Sequence, residues 1–271
     1  MQTFSIQRST FKRYGEGMEL KLSDIKSRSV LGMLRALESF GPGRSLLHAA
    51  ADRWDLGCIE RRMLRELSPM GPYLHIDIGA FQGSWTKSMA QLYPNSDFLM
   101  VEAHPHSANR LQSQLSEFPA STVLLNLAVT VEDTQAVDLN LTRNPVGTSI
   151  RAPREGQVHE WTHLVSTIQV QGRRLDSILD QYGREPIGVL KVDCQGADLE
   201  VLQSAGSYLR PRTVPVVVVE LNFREFYEDQ DPWWSCVSYL QERGYELLEV
   251  ELHRDSQDQI HWGDALFSLA K

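Results

Sequence analysis

The hydrophobic pattern changes character once along the chain, near residue 70. Between Leu22 and Leu67 apolar residues recur every three or four positions: Ile25, Val30, Leu31, Leu34 and Leu37, then Leu46, Leu47 and Ala50, then Ile59, Met63, Leu64 and Leu67. That spacing predicts two or three amphipathic helices, interrupted by FGPGRS at 40–45, where Ser45 suits the cap of the next helix. From Tyr73 onward the apolar residues gather into short runs at 73–79, 97–103, 121–129, 187–194 and 214–222. Helical segments at Ser84–Leu92, Pro105–Leu115, 173–182 and 197–205 separate most of them. Short apolar runs alternating with helices of about ten residues predict buried parallel strands with helices on both faces. Runs at 136–141 and 165–170 alternate like strands that flank a polar, Gly/Pro-containing loop. A helix from Pro232 to Arg243 and strands at 245–252 and 261–270 complete the order, the last pair as an antiparallel hairpin. The expectation is an α/β fold over 71–271: a Rossmann-like sheet, mostly parallel, with a C-terminal antiparallel strand. Residues 1–70 are expected to form a helical N-terminal extension that acts as a lid or a dimerisation surface.

Composition narrows the function classes. A chain of 271 residues, 42% hydrophobic and 23% charged, buries an ordinary globular core. The formal charge of −8 opposes nucleic acid as the main partner, since phosphate binding needs a positive field. Cys58, Cys194 and Cys236 form no Cys-x-x-Cys pair, so reduced thiols are expected and a structural zinc is not. The N-terminus carries no apolar signal core, and no uncharged apolar run is long enough for a bilayer. A soluble, cytoplasmic protein without a membrane partner follows.

The strongest chemical signal is Asp77-Ile78-Gly79-Ala80-Phe81-Gln82-Gly83 at a strand-to-helix turn, with Glu102 closing the next strand. Glycines there let backbone approach a ligand, and an acid about 20 residues on can accept hydrogen bonds from both ribose hydroxyls. Gly79 and Gly83 lie four apart with no glycine between them, and Asp77 begins the motif. An acid at that place would repel a pyrophosphate but suits the ammonium end of S-adenosylmethionine, which favours that cofactor over NAD. The second signal is LKVDCQGADLEVL at 190–202, which puts Lys191 and Asp193 at the carboxyl end of a central strand. Asp193 fits a general base, an acceptor-orienting group, a metal ligand or a helix cap, whereas strand alternation turns Cys194 toward the core. His104 and His106 flank Pro105 just after Glu102, and Glu220 ends another strand.

These pieces, with VEAHP, NLAVTVED, NPVGTSI, VQGRRLDSIL and VVVVELN, resemble the ordered motifs of the FkbM-type methyltransferases over residues 73–223. The resemblance implies a class I methyltransferase that uses S-adenosylmethionine, most often on a hydroxyl of a sugar or secondary metabolite. It places Asp77, Gly79, Ala80, Phe81 and Gly83 on the cofactor loop, Glu102 and Ala103 at the ribose, and Ala128 along the adenine. Asp193, Lys191 and His104 become the catalytic candidates. Two departures stand out: Phe81 where the family usually has asparagine, and Gln195 and Asp198 where it usually has glutamates.

A rival signal is His159-Glu160-Trp161-Thr162-His163, which has zinc-hydrolase spacing. It runs directly into an alternating strand pattern, so no metal site is expected. His159, His163 and Glu220 are instead acceptor-side candidates, and the partner is a small-molecule acceptor. A non-catalytic nucleotide-binding scaffold and an NAD(P) oxidoreductase are the remaining alternatives.

Overall fold

The computed structural model describes residues 57–155, 162–183, 186–255 and 258–269. Most of the expected N-terminal helical pattern, residues 1–56, and His159 lie outside them. The last part of that pattern is helix α1 (Cys58–Glu66), which buries Ile59, Met63 and Leu64. These are three of the residues the periodicity selected.

After α1 the chain runs β1 (Leu74–Ile78), α2 (Ser84–Leu92), β2 (Asp97–Val101), α3 (Pro105–Ser113) and β3 (Val123–Leu125). It continues through β4 (Ala128–Val129), β5 (Thr134–Thr142), β6 (Leu164–Arg173), α4 (Leu175–Tyr182), β7 (Ile187–Val192) and α5 (Asp198–Ser204). β8 (Val216–Asn222), α6 (Trp233–Gln241), β9 (Tyr245–Arg254) and β10 (Ile260–Leu269) complete it.

A seven-stranded sheet has the order β3-β2-β1-β7-β8-β10-β9. β1, β2, β3, β7 and β8 pair in parallel, and β10 inserts antiparallel between β8 and β9. The expected mostly parallel sheet with an antiparallel C-terminal strand is therefore present. β1, β7 and β8 are buried along their whole length, which explains why their sequences read as continuous apolar runs instead of alternating ones.

The chain leaves β1 toward β2 and β3, then returns to β7 on the other side of β1. Strand order thus reverses between β1 and β7, and a crevice opens beyond their carboxyl ends. One face of the sheet packs on α1 and α2 through Met63, Met89, Tyr93, Val189, Val218 and Leu266. The other packs on α4, α5 and α6 through Ile178, Val201, Leu202, Leu240, Val217 and Val219.

Two expectations needed adjustment. The single run at 121–129 is two strands, broken where the Asn126 amide donates to the carbonyls of Glu102 (2.8 Å) and Ala103 (3.2 Å). The break sends β4 out of the main sheet, and it joins β5 and β6 in a separate three-stranded sheet of order β4-β6-β5. β5 and β6 are also longer than their alternation suggested, because their outer halves are exposed and their sequences carry little apolar signal there.

Candidate active site

Backbone geometry at the strand ends makes the crevice. The amides of Gly79 and Ala80 both donate to the Val101 carbonyl (2.9 and 3.1 Å), the Glu102 amide to the Leu125 carbonyl (3.0 Å), and the Asp193 amide to the Ile78 carbonyl (3.1 Å). Four strand ends are thereby registered against one another. Gly79 takes φ 78°, and a Cβ there would collide with the carbonyl oxygen of Asp193. Only glycine lets β1 and the end of β7 pass this closely.

The cleft encloses about 740 Å³ of space, part of it open to solvent. One side is apolar, made by Ile78, Val101, Leu127, Ala128, Val129 and Leu139. The other is polar or backbone, with Gly79, Phe81, Glu102, His104, Asp193 and Gln195. Thr148, Ser149 and Ile150, from the NPVGTSI motif in the β5–β6 connection, form a further wall.

Glu102 organises the polar side. Its Oε2 accepts the Phe81 amide (2.7 Å) and its Oε1 the His104 amide (2.8 Å). Burial raises its pKa to about 7, outweighing those two amides, and the Asp77 and Asp193 carboxylates add to the rise. Phe81 sits at φ 47°, a conformation that asparagine tolerates and phenylalanine rarely adopts. The Glu102 contact fixes its amide there. Ala103 lines the cleft beside Glu102.

His104 caps α3, and its Nδ1 accepts the His106 amide (3.1 Å). With that lone pair used, the neutral ring carries its proton on Nε2. Burial lowers its pKa, so the ring meets the cleft as a neutral donor more readily than as a base.

Asp77, Ala80 and Gly83 support the cleft from behind its wall. The Asp77 side chain is sealed, accepting the Thr86 hydroxyl (2.7 Å) and lying 3.6 Å from the Lys191 ammonium. Burial raises its pKa, and Lys191 and Thr86 oppose that rise. Gly83 takes φ 71° as the N-cap of α2, and a Cβ there would press on Phe118. Ala80 packs with Met100, Leu111 and Phe118.

Lys191 and Asp193 come together at the end of β7, where Lys191 Nζ donates to Asp193 Oδ2 at 3.1 Å. Burial alone would lower the lysine's pKa, but Asp193, Asp77 and Asp264 outweigh it and hold the group charged. Asp193 does not cap α5, whose N-cap is Ala197 without a side-chain bond, and Asp198 instead ties the preceding turn by accepting the amides of Cys194 (2.8 Å) and Gly196 (3.1 Å). Cys194 packs on the core as expected and also lines the cleft. Its burial raises the thiol pKa and keeps it unreactive.

Glu220 lines a small recess with Asn222, Gln230, Asp231 and Trp233, next to the main cleft. Burial raises its pKa well above the usual carboxylate range, and Asp193, Asp198 and Asp264 add to this. His163 is exposed and immediately precedes β6, in extended chain and not on the helix that a zinc-hydrolase motif needs. Among the described residues no three His, Cys, Asp or Glu side chains are grouped to hold a metal ion.

The Methyltransferase FkbM domain model matches residues 77–247, from within β1 to the start of β9. The chain belongs to this family. The FkbM assignment agrees with a relative, the 2-O-methyltransferase NoeI of Sinorhizobium fredii, 25% identical over 190 residues that span 67% of this chain and 76% of NoeI. Similar solved structures include the methyltransferase FkbM of Methylobacillus flagellatus KT (TM-score 0.46, 13% identity, 73% of this chain and 43% of that one). Another is the precorrin-6y C5,15-methyltransferase of Geobacter metallireducens GS-15 (TM-score 0.44, 14% identity, 78% and 86%). No helix among the described residues is long and apolar enough to cross a membrane.

Proposed function

We propose that this FkbM-family protein transfers a methyl group from S-adenosylmethionine to a hydroxyl of a small-molecule acceptor, a sugar or secondary metabolite. The observation that carries the reading is Glu102: a buried carboxylate at the switch point, held by two backbone amides, beside an apolar slot of Leu127, Ala128 and Val129. That donor and acceptor set fits a ribose flanked by a flat heterocycle. Glu102 would hold the ribose hydroxyls, Ala128 and its neighbours the adenine, and Gly79 and Phe81 the amino-acid end.

When bound, the cofactor supplies a methyl group already activated on a sulfonium. The protein's task is then to align the acceptor, exclude water and take up a proton. Asp193 is the group placed for the proton, since it lines the cleft with its carboxylate oriented by Lys191. An alcohol becomes acidic as its oxygen gains the methyl, so a positioned carboxylate contributes at that moment. The name of NoeI, a 2-O-methyltransferase, supports oxygen as the acceptor atom.

Calorimetry with S-adenosylmethionine and S-adenosylhomocysteine, followed by turnover on a panel of hydroxylated acceptors, tests the reading. Glu102→Ala is expected to weaken cofactor affinity at least tenfold. Asp193→Ala is expected to lower kcat with affinity retained. Absence of any cofactor binding at millimolar concentration would refute the proposal.

A further inference from the structure

Between Asp193 and Glu220 stands the side-chain amide of Gln195. Gln195 Nε2 lies 2.9 Å from Asp193 Oδ1 and 3.2 and 3.0 Å from the two oxygens of Glu220. One of its protons serves Asp193, and the other is shared by Glu220. Turning the amide over would set its oxygen 2.9 Å from a carboxylate oxygen of Asp193, so the Nε2 end faces that group. Its Oε1 instead lies 3.1 Å from the Tyr227 hydroxyl, and that hydroxyl also reaches the Gly147 carbonyl at 3.1 Å. Asn222 supplies a further donor to Glu220 at 2.9 Å.

The local backbone is shaped for this contact. Gln195 sits at φ 53° and Gly196 at φ 88°, and a Cβ on Gly196 would meet the Tyr227 ring at 2.7 Å. Gln195 is 8% exposed and Tyr227 1%, so both polar ends work away from bulk water, where an unmade hydrogen bond is costly.

We propose that Gln195 is a positioning residue whose amide does the work of a cation: it bridges Asp193 and Glu220, aims Asp193 into the cleft, and frees the site from a need for a divalent ion. A glutamate at this position would set a third carboxylate between two others. Three oxygen ligands converging in a partly dry site are what Mg²⁺ or Mn²⁺ binds. Tyr227 anchors the amide and ties it to the β5–β6 connection that walls the cleft. The inference takes from the proposed function the assignment of Asp193 to the acceptor side.

The test compares wild type, Gln195→Glu, Gln195→Ala and Tyr227→Phe, with Mn²⁺ alone as the metal probe. Electron paramagnetic resonance of Mn²⁺ is expected to show no bound ion on wild type and one per chain on Gln195→Glu. With the acceptor that the panel identifies, wild type keeps its rate in EDTA. Gln195→Ala loses at least tenfold in kcat with cofactor affinity within twofold, and metal does not restore it. Tyr227→Phe, the milder change, lowers kcat in the same direction. Stoichiometric Mn²⁺ on wild type, loss of wild-type activity in EDTA, full kcat in Gln195→Ala, or no Mn²⁺ on Gln195→Glu would each overturn the inference. Cofactor calorimetry separates the two ideas. A wild type that binds no S-adenosylmethionine sinks the methyl-transfer reading, while the Mn²⁺ spectra still decide what Gln195 does.

Discussion

Glu102 shows how one residue's burial turns into a pH dependence. Both carboxylate oxygens already accept a backbone amide, yet burial holds the pKa near 7. A ribose donates hydrogen bonds to the ionised form, so binding favours loss of the proton. The free protein keeps that proton below about pH 7. Cofactor affinity should therefore rise with pH through this value and level off above it. At most the change is about tenfold per pH unit on the acidic side, the limit for one coupled proton. Calorimetry between pH 6 and 8.5 checks this, and Glu102→Gln should be weaker throughout and flat. A wild-type profile as flat as the variant's would show that Glu102 does not titrate with binding. The acid itself was legible, because an acid at the end of the second strand is a positional signal. Its two backbone partners were not, since they depend on how the turns after β1 and β2 fold around the side chain.

The elements were legible in proportion to how one-sided their burial is. α1 was readable because Ile59, Met63 and Leu64 fall on one face and all three are buried. Met63 is fully buried against the sheet face that also holds Met89, Val218 and Leu266. Met63→Ala should cost about 2–5 kcal/mol, the usual range for emptying a buried Met site, and urea unfolding would read it. A loss below about 1 kcal/mol would mean that α1 is not part of the cooperative core. β7 and β8 were readable for the opposite reason: burial on both faces makes them uninterrupted apolar runs. The three-stranded sheet was not readable as a separate unit. β4 has only two residues, and nothing in NLAV indicates that the Asn126 amide would end one strand and divert the next. Tyr227 carried no signal either, because its role comes from a loop meeting Gln195 across 32 residues of sequence.

At the scale of the molecule, the cleft is assembled from parts that are far apart in the chain. The seven-stranded sheet supplies the floor through Ile78, Val101 and Asp193, and the connection leaving the three-stranded sheet supplies the wall from Pro145 to Ile150. That connection is pinned from outside. Arg151 pairs with Glu200 at 2.5 Å, and Arg154 pairs with Glu225. The Arg154 amide donates to the Phe226 carbonyl (2.9 Å), and the Glu228 amide to the Ala152 carbonyl (2.8 Å). Before Arg151, Ser149 exchanges backbone hydrogen bonds with Asn140 (2.8 and 3.3 Å), the Asn140 side-chain amide donates to the Ile150 carbonyl (3.3 Å), and Tyr227 reaches Gly147. Within this wall Val146 is 45% exposed, whereas Gly147 and Ser149 are buried. Connections between strands open with smaller free energies than the core of a sheet, and a ligand that packs on one raises that energy. Hydrogen exchange should show the amides of Val146–Ile150 slowing about tenfold or more when S-adenosylhomocysteine binds. The amides of β7 and β8, already buried in the sheet, should change little. Equal protection everywhere would point to a general gain in stability, and no change at Val146–Ile150 would mean that the ligand does not touch this wall. Protection confined to it would place the ligand between the two sheets, where the strand order reverses.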